Sequence, residues 1–205
     1  MFTIPTRSRP HRLQTLIDAC RKAEMSTPAA VIVDFDDPMI GAYRDIKLPE
    51  KWILLEGQRR KLSTIYNNFF QMFPDLEWYG LLADDVVPTS RAFDAKLIAA
   101  AGTKGMAFGD DSINGGNFAT HFVLGGDLVR DMGWLALPGL SRIYIDTVWN
   151  DVAQDNEVRR YLSRVKMDHH HFSNGKALMD STYRKPDKEA DKALYEAWRR
   201  SRYAV

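Results

Sequence analysis

Apolar residues in this chain follow two alternating patterns: short continuous runs, and longer stretches in which they recur at helical spacing. Phe2 to Pro5 is the first short run and predicts a strand. The polar turn TRSRP follows, ending at Pro10, just before a helix from His11 to Ala23 that repeats Leu13, Leu16, Ile17 and Cys20 along one face. Ala29 to Val33 predicts a second strand and Lys51 to Leu55 a third, with Gly57 marking a turn. Leu62 to Met72 predicts a helix with Ile65, Phe69 and Met72 on one side, closed by Phe73 and Pro74. Trp78 to Leu82 predicts a buried strand, and Pro88 is expected to end ladder pairing soon after it.

Beyond that point the regular alternation loosens. Arg91 to Ala101 predicts a helix and Gly105 to Phe108 a strand, followed by GDDSINGGNFAT, whose glycines and polar residues suit a mobile or ligand-shaping loop. His121 to Leu124 resumes an apolar strand, and Asp127 to Met132 a short helix. LALPGL, with Trp134 before it, makes a packed wall suited to an acceptor. IDTVWNDV, after Tyr144, reads as a helix, and Val158 to Leu162 is expected to continue one. VKMDHHHF, Val165 to Phe172, reads as extended, with Asp168 and His170 on one side and His169 and His171 on the other. A charged helix from Lys188 to Tyr203 closes the chain, with Tyr195 and Trp198 expected to dock it.

These patterns predict an α/β fold in which helices flank a mostly parallel, mixed central sheet. One core with two functional halves fits the change of pattern at Gly102. A nucleotide half covers about 1–101 and an acceptor half about 102–183, with 184–205 packed on the domain as a charged helix. Composition narrows the class. The chain of 205 residues, 45% apolar and 27% charged, is ordinary for a soluble domain. No run approaches the ~20 apolar residues of a membrane span, and no signal-peptide core is expected at the start. A single cysteine, Cys20, excludes an internal disulfide and implies a reducing compartment. The net charge of +1 neither demands nor excludes a nucleic-acid partner. From Arg184 to Arg202, however, seven Lys or Arg stand against four Asp or Glu, an excess that either meets phosphates or covers a solvated face.

Candidate chemistry lies where strands end, because ligands of open α/β sheets bind beyond the carboxyl ends of strands. Asp84 and Asp85 follow the Trp78–Leu82 run. Two adjacent carboxylates repel, and a divalent cation carrying phosphate oxygens offsets that repulsion. Arg7 and Arg9 near the first helix, and Arg59, Arg60 and Lys61 before the Leu62–Met72 helix, are placed to approach a diphosphate. Asp34 or Asp36, after the second strand, can accept from a ribose or base edge. One imidazole of the His169/His171 face can complete a metal site with Asp85.

The order of these features resembles a small GT-A glycosyltransferase, nearest the inverting family 2 and its phage-encoded relatives. The resemblance runs from about Phe2 to Tyr183 and implies a GT-A-like, Rossmann-like fold. It implies that IPTRSRP, with Pro5, Thr6 and Arg7, lies against the nucleotide, and that Asp34 or Asp36 holds uracil or ribose. The family's Asp-x-Asp-Asp metal motif is shortened here to Leu82-Ala83-Asp84-Asp85, so Asp85 inherits the ligand role. The family's general base falls on Asp146, with Ile145 replacing the acid before it and Asp151 as understudy. A late-strand histidine, within DHHHFSNGKA, implies the remaining ligand. The implied cofactor is Mn²⁺ or Mg²⁺, the donor a nucleoside diphosphate sugar, UDP-linked first. The implied acceptor is a hydroxyl, with a hydroxymethylated base of phage DNA as one option, and the implied location is the cytoplasm, a host's if the chain is phage-encoded. A nucleotidyltransferase and a non-catalytic nucleotide-binding or virion-associated protein are the competing readings.

Overall fold

The computed structural model describes residues 1–171, 174–176 and 188–203. In chain order the elements are β1 (Phe2–Pro5), α1 (Pro10–Lys22), β2 (Ala29–Asp34), α2 (Ile40–Arg44), β3 (Trp52–Gly57), α3 (Leu62–Met72), β4 (Trp78–Leu81) and β5 (Val86–Pro88). The second half adds α4 (Phe93–Ala101), β6 (Met106–Asp110), β7 (Phe122–Gly125), α5 (Gly126–Met132), α6 (Ile145–Asp155), β8 (Arg159–His169) and α7 (Lys188–Tyr203). The strands form an eight-stranded mixed sheet in the order β3-β2-β1-β4-β7-β6-β8-β5. β3, β2, β1 and β4 run parallel, while β7 is antiparallel to both of its neighbours, β4 and β6. The chain builds outward from β1 to β3 and then returns to β4 on β1's other side. That reversal opens a crevice beyond the carboxyl ends of β1 and β4, where ligands of such sheets bind.

Period-two alternation gives the sheet two apolar faces. Phe2, Ile4, Val31, Val33 and Ala107 point to the face covered by Leu13, Leu16 and Ile17 of α1 and Phe93 and Leu97 of α4. Ala30, Tyr79, Met106 and Phe108 point to the other face, under Phe69 of α3 and Val148, Trp149 and Val152 of α6. Trp149 is fully buried, and its Nε1 donates to Leu135 O at 2.8 Å. Trp149→Ala is expected to cost about 3–5 kcal/mol, read as a lower urea midpoint, because it opens a cavity and orphans that carbonyl. Leu194, Tyr195 and Trp198 of α7 pack against this second face. Cys20 is buried in the first core, where burial raises its thiol pKa, as fits a packed side chain rather than a nucleophile.

Several expectations need correction. Val158 to Leu162 is not helical: β8 begins at Arg159 and runs parallel to β6, with Met106 opposite Arg159 and Phe108 opposite Tyr161. Pro88 ends ladder pairing as expected, but a strand the sequence did not set apart precedes it: β5 lies antiparallel to β8 with Val86 opposite His169 and Pro88, its last residue, opposite Met167. The ring nitrogen is tolerated because β5 is the outermost strand. β3 runs on to Gly57, past the expected end at Leu55, so Gly57 closes the strand instead of standing in a turn after it, and α2 was not predicted. Phe172 and the 183/184 domain boundary lie outside the described residues. No helix of the described residues is long and apolar enough to cross a membrane.

Candidate metal and nucleotide cleft

Strand pairing brings the reactive residues together. Leu81 is opposite Phe122 in the β4–β7 pair, so His121, one residue earlier, stands beside the start of the Leu82–Asp85 turn. Val86 is opposite His169 in the β5–β8 pair, so His169 flanks Asp85 from the other side. A bulge tunes that delivery: the β6–β8 register passes from Gly109–Leu162 to Asp110–Lys166, leaving Ser163, Arg164 and Val165 unmatched. Gly109 permits it, because a Cβ there would lie 2.5 Å from Val165 O. The loop 111–120 is organised by Asp111, whose carboxylate accepts from Ile113 N (2.9 Å), Asn114 N (2.7 Å) and the Thr120 hydroxyl (3.0 Å). It leads directly to His121.

Asp85, His121 and His169 offer ligand atoms that all lie within 4.8 Å of one another. His169 Nε2 is 3.4 Å from Asp85 Oδ1. Among the described residues, His121 Nε2 and His169 Nδ1 are buried nitrogens with no hydrogen-bond partner. Burial, then the neighbouring His169, lowers the His121 pKa to about 3, so this imidazole is neutral at ordinary pH, the form that binds metals. One carboxylate with two imidazoles is a donor set that suits Mn²⁺ better than Mg²⁺, which prefers oxygen ligands. The residues present therefore fit a divalent transition metal. His171 lines the same cleft but stands outside this group, its ring 5.2 Å from that of His169. Of the two predicted histidines, only His169 joins the cluster. His121, read from sequence merely as the start of a strand, takes the other place.

Asp84 points the other way, into a buried relay. Arg9 N donates to the Tyr43 hydroxyl (2.8 Å), which bonds Thr6 Oγ1 (2.9 Å), and Thr6 Oγ1 donates to Asp84 Oδ2 (2.6 Å). Burial, then the adjacent Asp85, raises the Asp84 carboxyl to about 6. Two guanidiniums balance the pair: Arg9 Nη1 lies 3.3 Å from Asp84 and 3.7 Å from Asp85, and Arg12 Nη1 lies 3.5 Å from Asp85. The buried Arg9 and the Tyr43 supplied by α2 are the residues that sequence reasoning left without this role.

The cleft has a volume of about 700 Å³, within the range of small-molecule sites. Pro5, Thr6, Arg7, Asp34, Arg59 and Lys61 line it, as do Asp84, Asp85, Asp146, His169 and His171. Arg7 Nη1 bridges Asp34 and Asp36 at 2.7 Å each, but Asp36 is exposed and outside the lining, so of the two only Asp34 faces the cleft. Asp146 stands in the first turn of α6, and burial raises its pKa. Asp151 does not line the cleft: the Tyr195 hydroxyl donates to it at 2.7 Å and Arg199 lies 3.1 Å away. Five residues at about 100° each put the two acids about 140° apart on the helix, so only one can face the cleft.

No protein-family model and no curated protein matches the sequence. In three dimensions, mannosyltransferase PcManGT from Pyrobaculum calidifontis, in complex with GDP-Man and Mn²⁺, matches with a TM-score of 0.65 at 13% identity, over 82% of this chain and 55% of that one. S. aureus TarS 1-349 in complex with UDP matches with a TM-score of 0.58 at 11% identity, over 81% of this chain and 59% of that one. Rv0371C of Mycobacterium tuberculosis, in complex with manganese, matches with a TM-score of 0.52 at 13% identity, over 80% of this chain and 87% of that one. The chain thus spans little more than half the length of the first two. The fold is that of the GT-A glycosyltransferases.

Proposed function

We propose that the protein is a metal-dependent, inverting glycosyltransferase that moves a sugar from a nucleoside diphosphate sugar, UDP-linked, to an acceptor hydroxyl. The observation that carries this reading is the Asp85, His121 and His169 cluster at the switch-point crevice, with its two unpartnered buried nitrogens. A divalent metal bound there would stabilise the charge gathered by the departing diphosphate. Asp85, His121 and His169 are the residues that would hold it. Arg59 and Lys61 supply positive charge along the same cleft, while Arg7, held by Asp34 and Asp36, fixes Asp34 at its edge. Asp34 accepts from the base or ribose. Asp146 takes the proton from the acceptor hydroxyl, and burial, by raising its pKa, strengthens it as a base.

A hydroxymethylated base of phage DNA is the finer reading for the acceptor. Its support is the exposed Arg59 and Arg60 at the cleft rim rather than the C-terminal helix. Arg199 and Arg202 of that helix lie 3.6 Å and 3.3 Å from Asp155 of α6, which spends their charge within the fold. Transfer of labelled sugar to hydroxymethylated but not to unmodified DNA would support this acceptor, and transfer to neither would remove it.

The donor half is tested by titrating UDP, GDP, CDP and dTDP with Mn²⁺, with Mg²⁺ and with EDTA. Binding of UDP is expected to tighten at least ~10-fold with Mn²⁺ and less with Mg²⁺, following the imidazole content of the site. Absence of metal-dependent binding for all four would sink the reading and favour a non-catalytic role.

A further inference from the structure

The segment 134–144, whose Ser141 and Arg142 line the cleft, is fastened from two helices. α3 holds its outer course: Leu62 N donates to Ser141 O (2.9 Å), Ser63 Oγ to Leu140 O (2.6 Å), and Asn67 Oδ1 accepts from Leu135 N and Ala136 N, each at 2.9 Å. α7 holds the corner that follows. Asp191, 1% exposed, accepts from Ser141 N at 2.6 Å and from Arg142 N and Ile143 N at 2.9 Å each. Successive amides converging on one carboxylate make an anion nest, here filled from within the protein by charge-assisted bonds. Asp191 also lies in the first turn of α7, where the helix dipole favours a negative charge.

A second observation points to the same corner. Tyr144, directly before α6, has φ 70° and ψ 0°, a left-handed conformation disfavoured for a residue with a side chain. Its ring stacks on Tyr195 of α7, with centroids 4.8 Å apart and planes at 13°. Strain of this kind persists only where surrounding contacts enforce it. The enforced corner is flanked by Arg142 and Asp146, both of which line the cleft.

We propose that Asp191 is a positioning residue for the transfer step: from α7 it fixes the 141–144 corner, and so aims Arg142 and Asp146 into the cleft. The catalytic half of this inference rests on the glycosyltransferase reading above; the clamp itself does not. Both are tested on the full chain with Asp191→Ala and the milder Asp191→Asn. Amide hydrogen exchange at Ser141, Arg142 and Ile143 is expected to accelerate at least ~10-fold in the alanine variant and less in the asparagine variant. Mn²⁺-supported UDP binding stays within about twofold, while hydrolysis of UDP-glucose, UDP-galactose or GDP-mannose falls at least ~10-fold in kcat, as a displaced base predicts. Unchanged exchange at these amides overturns the clamp. UDP binding, melting temperature and turnover declining together would overturn positioning and leave only a contribution to stability. Faster exchange with a wild-type protein that hydrolyses no donor supports the clamp and overturns its catalytic half along with the transfer reading.

Discussion

Asp85→Asn is expected to remove the Mn²⁺ dependence of UDP binding while leaving the weak, metal-free binding near its wild-type value. The variant keeps the shape of the side chain and its acceptor oxygen, but not the charge. Only the charge suits a dication, whereas Arg9 and Arg12 at 3.7 and 3.5 Å can still be met by Asp84 and by the amide oxygen. Changes to groups that merely orient metal ligands cost about 10–100-fold in affinity, so losing the one carboxylate of the cluster should cost at least ~100-fold, or about 2.7 kcal/mol. His121→Ala should produce a comparable loss without touching the guanidiniums, which separates metal binding from disruption of the ion-pair network. Calorimetric titration of Mn²⁺ into each variant measures both. Retention of wild-type affinity in His121→Ala would remove it from the ligand set and return the place to His171.

The contrast between His121 and His171 shows where the sequence was legible. Elements stated by local pattern alone were readable: Leu62 to Met72 and Lys188 to Tyr203 are the observed helices, and the apolar runs Phe2 to Pro5 and Ala29 to Val33 fall in β1 and β2. The Asp84-Asp85 pair was legible because it ends an apolar run. His121 was not, because Phe122, Val123 and Leu124 make it look like the first residue of a core strand, and only the β4–β7 register carries it to Asp85. The same long-range cause misled at Val158 to Leu162. Five residues cannot distinguish helix from strand, and β6, some fifty residues earlier, decides the matter by pairing. Arg9 was visible as a cation, but its burial against both aspartates depends on Tyr43 from a short helix that no pattern announced. Asp151 shows the reverse error: a carboxylate near the right place in sequence, turned by helical geometry toward Tyr195 and Arg199.

That geometry makes the second large prediction a paired one. Asp146→Asn is expected to lower kcat for transfer by about 10²–10⁴-fold, the usual contribution of a positioned general base, with Mn²⁺-supported UDP binding unchanged. Asp146 is placed for this by its position in the first turn of α6, where Thr147 N donates to its Oδ1 at 2.9 Å and fixes the side chain against the helix start. Asparagine preserves that hydrogen bond and the volume, so a loss confined to kcat reports proton transfer rather than collapse of the site. Asp151→Asn should leave turnover within about threefold and instead weaken the docking of α7, since it removes a charged partner of Tyr195 and Arg199. Should Asp146→Asn keep more than about a tenth of wild-type kcat, Asp146 would not be the base, and the proton would have to leave through another group of the cleft. His171, which lines the same space outside the metal cluster, is then the side chain to substitute next.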